Sequence, residues 1–147
     1  VDAADHGIVN VDTWDGYPAA QRLFYDALGT ASNPAVLTGD LHAGYAFDIR
    51  PGDDDGEAPI GAEFAATSIS SGGDGADLSD SGRRFLDNTP DLHYVSQRRG
   101  YLRCRVTPAQ MNVDFRVVPY VTGTADAPVR TDGSFVVEAD VRAVHTA

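Results

Sequence analysis

A chain of 147 residues, 42% of them hydrophobic and 22% charged, has the length and apolar content for one domain with its own core. No apolar run approaches the roughly 18 residues that a bilayer span needs, so a transmembrane helix is excluded. Twenty-two acidic against eleven basic side chains, every one of the latter an arginine, leave a net charge of −11; this argues against a nucleic-acid partner, which needs clustered cations.

Residues 1–17 are mostly polar, show no signal-peptide pattern and end in Asp12-Thr13-Trp14-Asp15-Gly16-Tyr17. Pro18 suits the first turn of a helix, where its missing N–H costs nothing. Ala20, Leu23, Phe24, Ala27 and Leu28 follow at helical spacing, and Gly29 and Asn33-Pro34 end the pattern, predicting a helix over 18–28. A short apolar run over 35–39, read as a buried central strand, stops at Gly39. Asp40 and His42 follow two residues apart, with Gly39 expected to turn the backbone so that an oxygen and a nitrogen ligand converge. That pair suits a metal of intermediate softness such as iron, zinc or manganese. Alone it is a weak pattern, since most such pairs are ordinary surface side chains.

Tyr45, Phe47 and Ile49 alternate with Ala46, Asp48 and Arg50, which predicts a half-buried strand. Residues 51–58 read as a surface loop whose Asp53, Asp54 and Asp55 lack the spaced ligands of a calcium site. Ile60, Ala62, Phe64 and Ala66 mark a buried strand. Gly72 to Asp77 match one copy of a calcium-binding nonapeptide repeat, but a single copy with Ser79 at the apolar position builds no core. A short helix is expected near 79–87, with Gly82 against it. Leu92–Val95 and Tyr101–Val106 read as two strands around a hairpin turn at Gln97-Arg98-Arg99-Gly100. Leu102, Cys104 and Val106 share a face, so Cys104, the single cysteine, is expected buried and inert. Met111, Val113, Phe115 and Val117 form a further strand ended by Pro119. A loop over 122–134 precedes a last strand with Phe135, Val137, Ala139 and Val141, and 143–147 should fray.

Four stretches in order carry a resemblance: Asp12 to Pro18, Leu37-Thr38-Gly39-Asp40-Leu41-His42, Glu63 to Ser71, and Arg99-Gly100-Tyr101. Together they resemble the C-terminal part of the alkaline phosphatase D (PhoD-type) family, secreted metallophosphoesterases. The resemblance implies an α+β, β-rich fold, the C-terminal part of a calcineurin-like β-sandwich flanked by helices. It implies hydrolysis of phosphate monoesters and diesters with iron and calcium. By position, His42 resembles a late histidine ligand of the iron, and Asp40 stands where many metallophosphoesterases carry a histidine; an oxygen there suits a hard ion such as calcium.

The early metal motifs of the family are not found in this chain, which supplies at most two metal donors where a site needs three or more. The expected partners are therefore a phosphate ester and an N-terminal segment of the same enzyme carrying the remaining ligands. Trp14, Asp15 and Tyr17, at a helix N-terminus, are candidates for the phosphate pocket, with helix capping and apolar anchoring as the alternative. Thr67, Ser68 and Ser70 could support the ligands or form a tight turn. Arg98 and Arg99 could meet a phosphate, an exposed turn being the stronger reading. His6, His93 and His145 show no partner spacing. Two rival functions remain: a non-catalytic β-rich module, and a calcium module using the acidic loops 53–57 and 74–80. No Gly-x-Ser-x-Gly, Ser-x-x-Lys or phosphate-loop pattern supports nucleophilic hydrolase or nucleotide-loop chemistry.

Overall fold

The computed structural model describes residues 14–52 and 57–147, with the side chain of Asp15 outside that description. His6, Asp12, Thr13 and the Asp53–Asp55 run also lie outside it. A 3₁₀ turn, Trp14–Gly16, leads into helix α1, Pro18–Gly29, with Pro18 in the first turn as the sequence requires. Helix α2, Asp80–Asn88, forms despite Gly82. Ser79 caps it by accepting from the Gly82 N–H at 3.1 Å, and an added Cβ at Gly82 would crowd Leu78.

The strands are β1 (Ala35–Thr38), β2 (Gly44–Ile49), β3 (Gly61–Ala65), β4 (Gly75–Ala76), β5 (Leu92–Val106), β6 (Gln110–Val118), β7 (Arg130–Glu138) and β8 (His145–Thr146). They make one sheet in the order β1-β3-β2-β5-β6-β7-β8, with β4 paired to β5. Among the described residues only β1 and β3 pair in parallel. β5 is the long member: its first residues pair with β2 and β4, its later ones with β6. The sheet curls across β5 until its two halves face each other. Ala46, Ala62 and Phe64 of the first half pack with Val113, Phe115, Phe135 and Val137 of the second. The rings of Phe64 and Phe135 lie 6.5 Å apart, and Phe115 meets Phe135 edge-on at 5.8 Å.

Several expectations change against this frame. Gln97–Gly100 is not a turn but the middle of β5. Gly100 is there because an added Cβ would collide with the Arg116 carbonyl oxygen on β6, a close approach and not a reversal. The strand over 35–39 is neither buried nor central: β1 is an edge strand, and Leu37 is 55% exposed. In β2 Ala46 and Ile49 are buried, while the aromatics Tyr45 and Phe47 are only half-buried. α1 buries no residue, and its half-covered face runs through Gln21, Phe24, Tyr25 and Leu28, with Ala20, Leu23 and Ala27 exposed.

β7 begins at Arg130, inside the stretch read as a loop, because its polar residues bond across the sheet. Tyr94 Oη donates to Asp132 at 2.8 Å and Ser134 Oγ to Asp114 at 2.8 Å. Its end at Glu138 leaves Ala139 and Val141 outside the strand. The C-terminus is tied down: Val144 joins the core, its N–H donates to Asp48 Oδ1 at 2.7 Å, and β8 pairs with β7. His93 has a partner after all, Asp48 Oδ2 at 2.9 Å.

Cys104 is exposed, since β5 beyond Leu102 runs past the core and Val106 is 72% exposed. Residual desolvation and then the Asp114 carboxylate still push its thiol pKa up. A thiol reagent should therefore label the native protein, with a rate that climbs to its half-maximum at a higher pH than for a free cysteine; labelling only after unfolding would contradict this. Gly100→Ala should lower the urea-unfolding free energy by about 2–3 kcal/mol through overpacking. Gly29→Ala, with nothing within 4 Å of the added carbon, should stay within about 0.5 kcal/mol.

Candidate functional site

β1 leaves the sheet at Thr38, held on its inner side by β3. Ala66 N–H donates to the Thr38 carbonyl at 2.8 Å, and Thr38 Oγ1 donates to Glu63 Oε1 at 2.7 Å. The chain then turns through Gly39 to Ala43. The turn is not made by Gly39, which has no positive φ and where an added Cβ would meet only an ordinary contact, Ala66 O at 3.8 Å. It is made by Asp40 at φ 76° and His42 at φ 54°. Asp and His enter the left-handed region more readily than most residues, yet each still costs roughly 1–2 kcal/mol there. Two such residues in three positions need something outside the loop to hold them.

For His42 that support comes from Arg99 on β5, which is only 7% exposed. Its Nη1 donates to the His42 carbonyl at 2.5 Å and reaches Thr67 Oγ1 at 3.5 Å; its Nε donates to Gly73 O at 2.9 Å, and Nη2 to Gly72 O at 3.4 Å. Hydrogen bonds from a charged donor contribute roughly 1.5–3 kcal/mol each, enough to offset the backbone cost. Gly72 and Gly73 are themselves at φ 81° and 71°, and a Cβ on Gly72 would stand 3.0 Å from Arg99 Nη2 and 3.8 Å from His42 Nδ1. The segment after β3 is pinned alongside: Gly100 N–H donates to Ser68 O at 3.2 Å, and Ser68 Oγ donates to Ser71 O at 2.8 Å. Ser68 thus closes a tight turn, and Thr67 is an acceptor for Arg99.

Three segments far apart in sequence meet here: the loop after β1, the turn after β3 and the middle of β5. They border an open recess of about 400 Å³ lined by His42, Tyr45, Gly72, Gln97 and Arg99 among others. Asp40 is exposed and does not line it. Trp14 and Tyr17 also stand outside: Trp14 stacks on Phe24 at 5.5 Å, and Tyr17 is exposed. Arg98 turns elsewhere, pairing with Asp77 and donating to Pro119 O at 3.3 Å. Sequence reasoning missed Arg99 as a buried residue. The signal available was its place in the last of the four motif stretches.

Among the described residues no three His, Cys, Asp or Glu side chains gather to hold a metal ion. Asp40 and His42 are of the right kind for iron and calcium but too few, so these residues do not form a metal site by themselves. Nor are the two carboxylates of the Gly72–Asp77 loop free: Asp77 pairs with Arg98. Asp74 accepts from the Val121 N–H at 2.6 Å and from the N–H and hydroxyl of Thr122 at 2.8 and 2.9 Å. Those donors hold its pKa below the ordinary carboxylate range and occupy the oxygen a cation would need.

A family model described as PhoD-like phosphatase matches residues 1–115. Alkaline phosphatase D of Bacillus subtilis (strain 168) is 40% identical over 136 residues, 90% of this chain and 23% of that protein. A solved structure described as that of PhoD superposes with a TM-score of 0.86 at 37% identity, over 94% of this chain and 27% of its own. The chain thus spans about a quarter of the length of these relatives.

Proposed function

This chain belongs to the PhoD-like phosphatase family, and from that membership we propose that it forms the C-terminal part of a metal-dependent phosphoesterase acting on phosphate monoesters and diesters. The observation that carries the reading is the loop after β1: Asp40 and His42 both sit at costly positive φ, and a buried arginine braces the backbone of His42. Strain of that kind persists where a side chain has to be aimed. In this reading His42 offers an imidazole nitrogen and Asp40 a carboxylate oxygen to a centre of iron and calcium, whose other ligands come from outside these residues.

Exposed apolar surface supports an incomplete unit. Among the described residues β1 pairs on one side only, Leu37 is 55% and Leu23 72% exposed, and α1 has no buried residue. The remainder of the enzyme is the natural cover for that side. Trp14, Asp15 and Tyr17 enter the proposal only as a rim for the substrate, and the stacking of Trp14 on Phe24 favours an anchoring role. The same reading places the enzyme outside the cell. A non-catalytic module of the same fold is the second reading, favoured by the lack of a third donor among the described residues.

The 147-residue chain alone, assayed on p-nitrophenyl phosphate and bis-p-nitrophenyl phosphate with iron and calcium, should show no turnover above buffer. Co-expression with the remaining part of a PhoD-type enzyme should restore hydrolysis, and His42→Ala should then lower it by more than the ~100-fold that losing a mere supporting partner costs a metal site. Turnover by the isolated chain, unchanged in His42→Ala, would reject the proposal.

A further inference from the structure

We infer that Arg99 is a positioning residue that holds His42 in its left-handed conformation, so that its loss releases the loop carrying Asp40 and His42 while the sheet stays folded. The inference deepens the phosphoesterase reading and rests on it for its catalytic meaning. All three carbonyls that Arg99 engages belong to residues at positive φ: His42 at 54°, Gly72 at 81° and Gly73 at 71°. A left-handed residue turns its carbonyl away from the regular ladder, and a buried carbonyl without a donor is costly. A planar guanidinium carries five N–H groups in one rigid fork, and here it spans two loops at once.

Charge does not select the residue. Every partner of Arg99 is a neutral oxygen, and among the described residues it makes no ion pair. What fixes the loop is therefore the directions of the fork, which the compact ammonium of lysine does not reproduce. A purely structural arginine would loosen the whole sheet when removed. A positioning residue loosens its own loop and leaves other strained positions alone. The molecule contains a control for that distinction: Asp140, at φ 63°, is held by Asn33, whose Oδ1 accepts from the Asp140 N–H at 2.6 Å, with no part played by Arg99.

The test is nuclear magnetic resonance on the full 147-residue chain, wild type and the variants Arg99→Lys and Arg99→Met, reading the one-bond Cα–Hα coupling that separates positive from negative φ. In the wild type Asp40, His42 and Asp140 should all report positive φ. In both variants His42 should lose that signature, and amide exchange across residues 40–43 should quicken on the order of tenfold, the size expected from losing one such hydrogen bond. Asp140 should be unaltered. A His42 that keeps positive φ in both variants overturns the inference, and so does loss of the signature at Asp140 as well, which would mean general destabilisation. The readout involves no activity, so failure of the hydrolysis test leaves it standing, and its own failure leaves the hydrolysis test standing.

Discussion

A guanidinium taken almost wholly out of water must have its N–H groups met in place, and Arg99 meets them on backbone oxygens of two separate loops plus one hydroxyl. Those bonds can form only when β1, β3 and β5 are already in register, because they join the residues that leave β1 and β3 to the middle of β5. The backbone conformations on the far side of the bonds are unfavourable in isolation. Local strain and long-range bonding therefore stand or fall together. This is how a short loop at an edge strand acquires a defined shape while Asp40, Leu41 and His42 stay exposed.

The curl of the sheet sets up that meeting. β5 serves both halves, and at Gly100 it lies too close to β6 for any side chain. The residue just before that close approach is Arg99, which reaches back to the loops after β1 and β3. The aromatic cluster of Phe64, Tyr94, Phe115 and Phe135 fills the inside of the curl and fixes the distance between its halves. The opposite side is more exposed. There, among the described residues, β1 pairs on one side only and α1 is no more than half-covered, on a chain that spans about a quarter of the length of its relatives.

How far the sequence reveals this depends on the element. β3 and β6 were legible because their alternating apolar residues do enter the core, and α1 because proline and glycine mark its ends. The middle of β5 was not legible. Gln-Arg-Arg-Gly has the composition of a turn, and a glycine needed for close approach to a neighbouring strand looks the same in sequence as one needed for reversal. The burial of Arg99 depends on partners 26 to 57 residues away, which no local pattern encodes. Cys104 keeps the alternation of a buried face, yet the strand has outrun the core by that point. Asp40 and His42 were visible as a pair from their chemistry, and their family context came from the motifs. Their left-handed backbone was not visible, because the adjacent Gly39 drew the expectation of a turn to itself.

The central claim is that the strained loop aims Asp40 and His42 at a metal centre. Its most direct test is anomalous diffraction at the iron absorption edge from crystals of a complete enzyme containing this chain. The account predicts an iron peak at bonding distance from an imidazole nitrogen of His42, with the Asp40 carboxylate in the coordination sphere of the same cluster. An iron centre fully ligated by other residues, with His42 and Asp40 facing solvent, would contradict it.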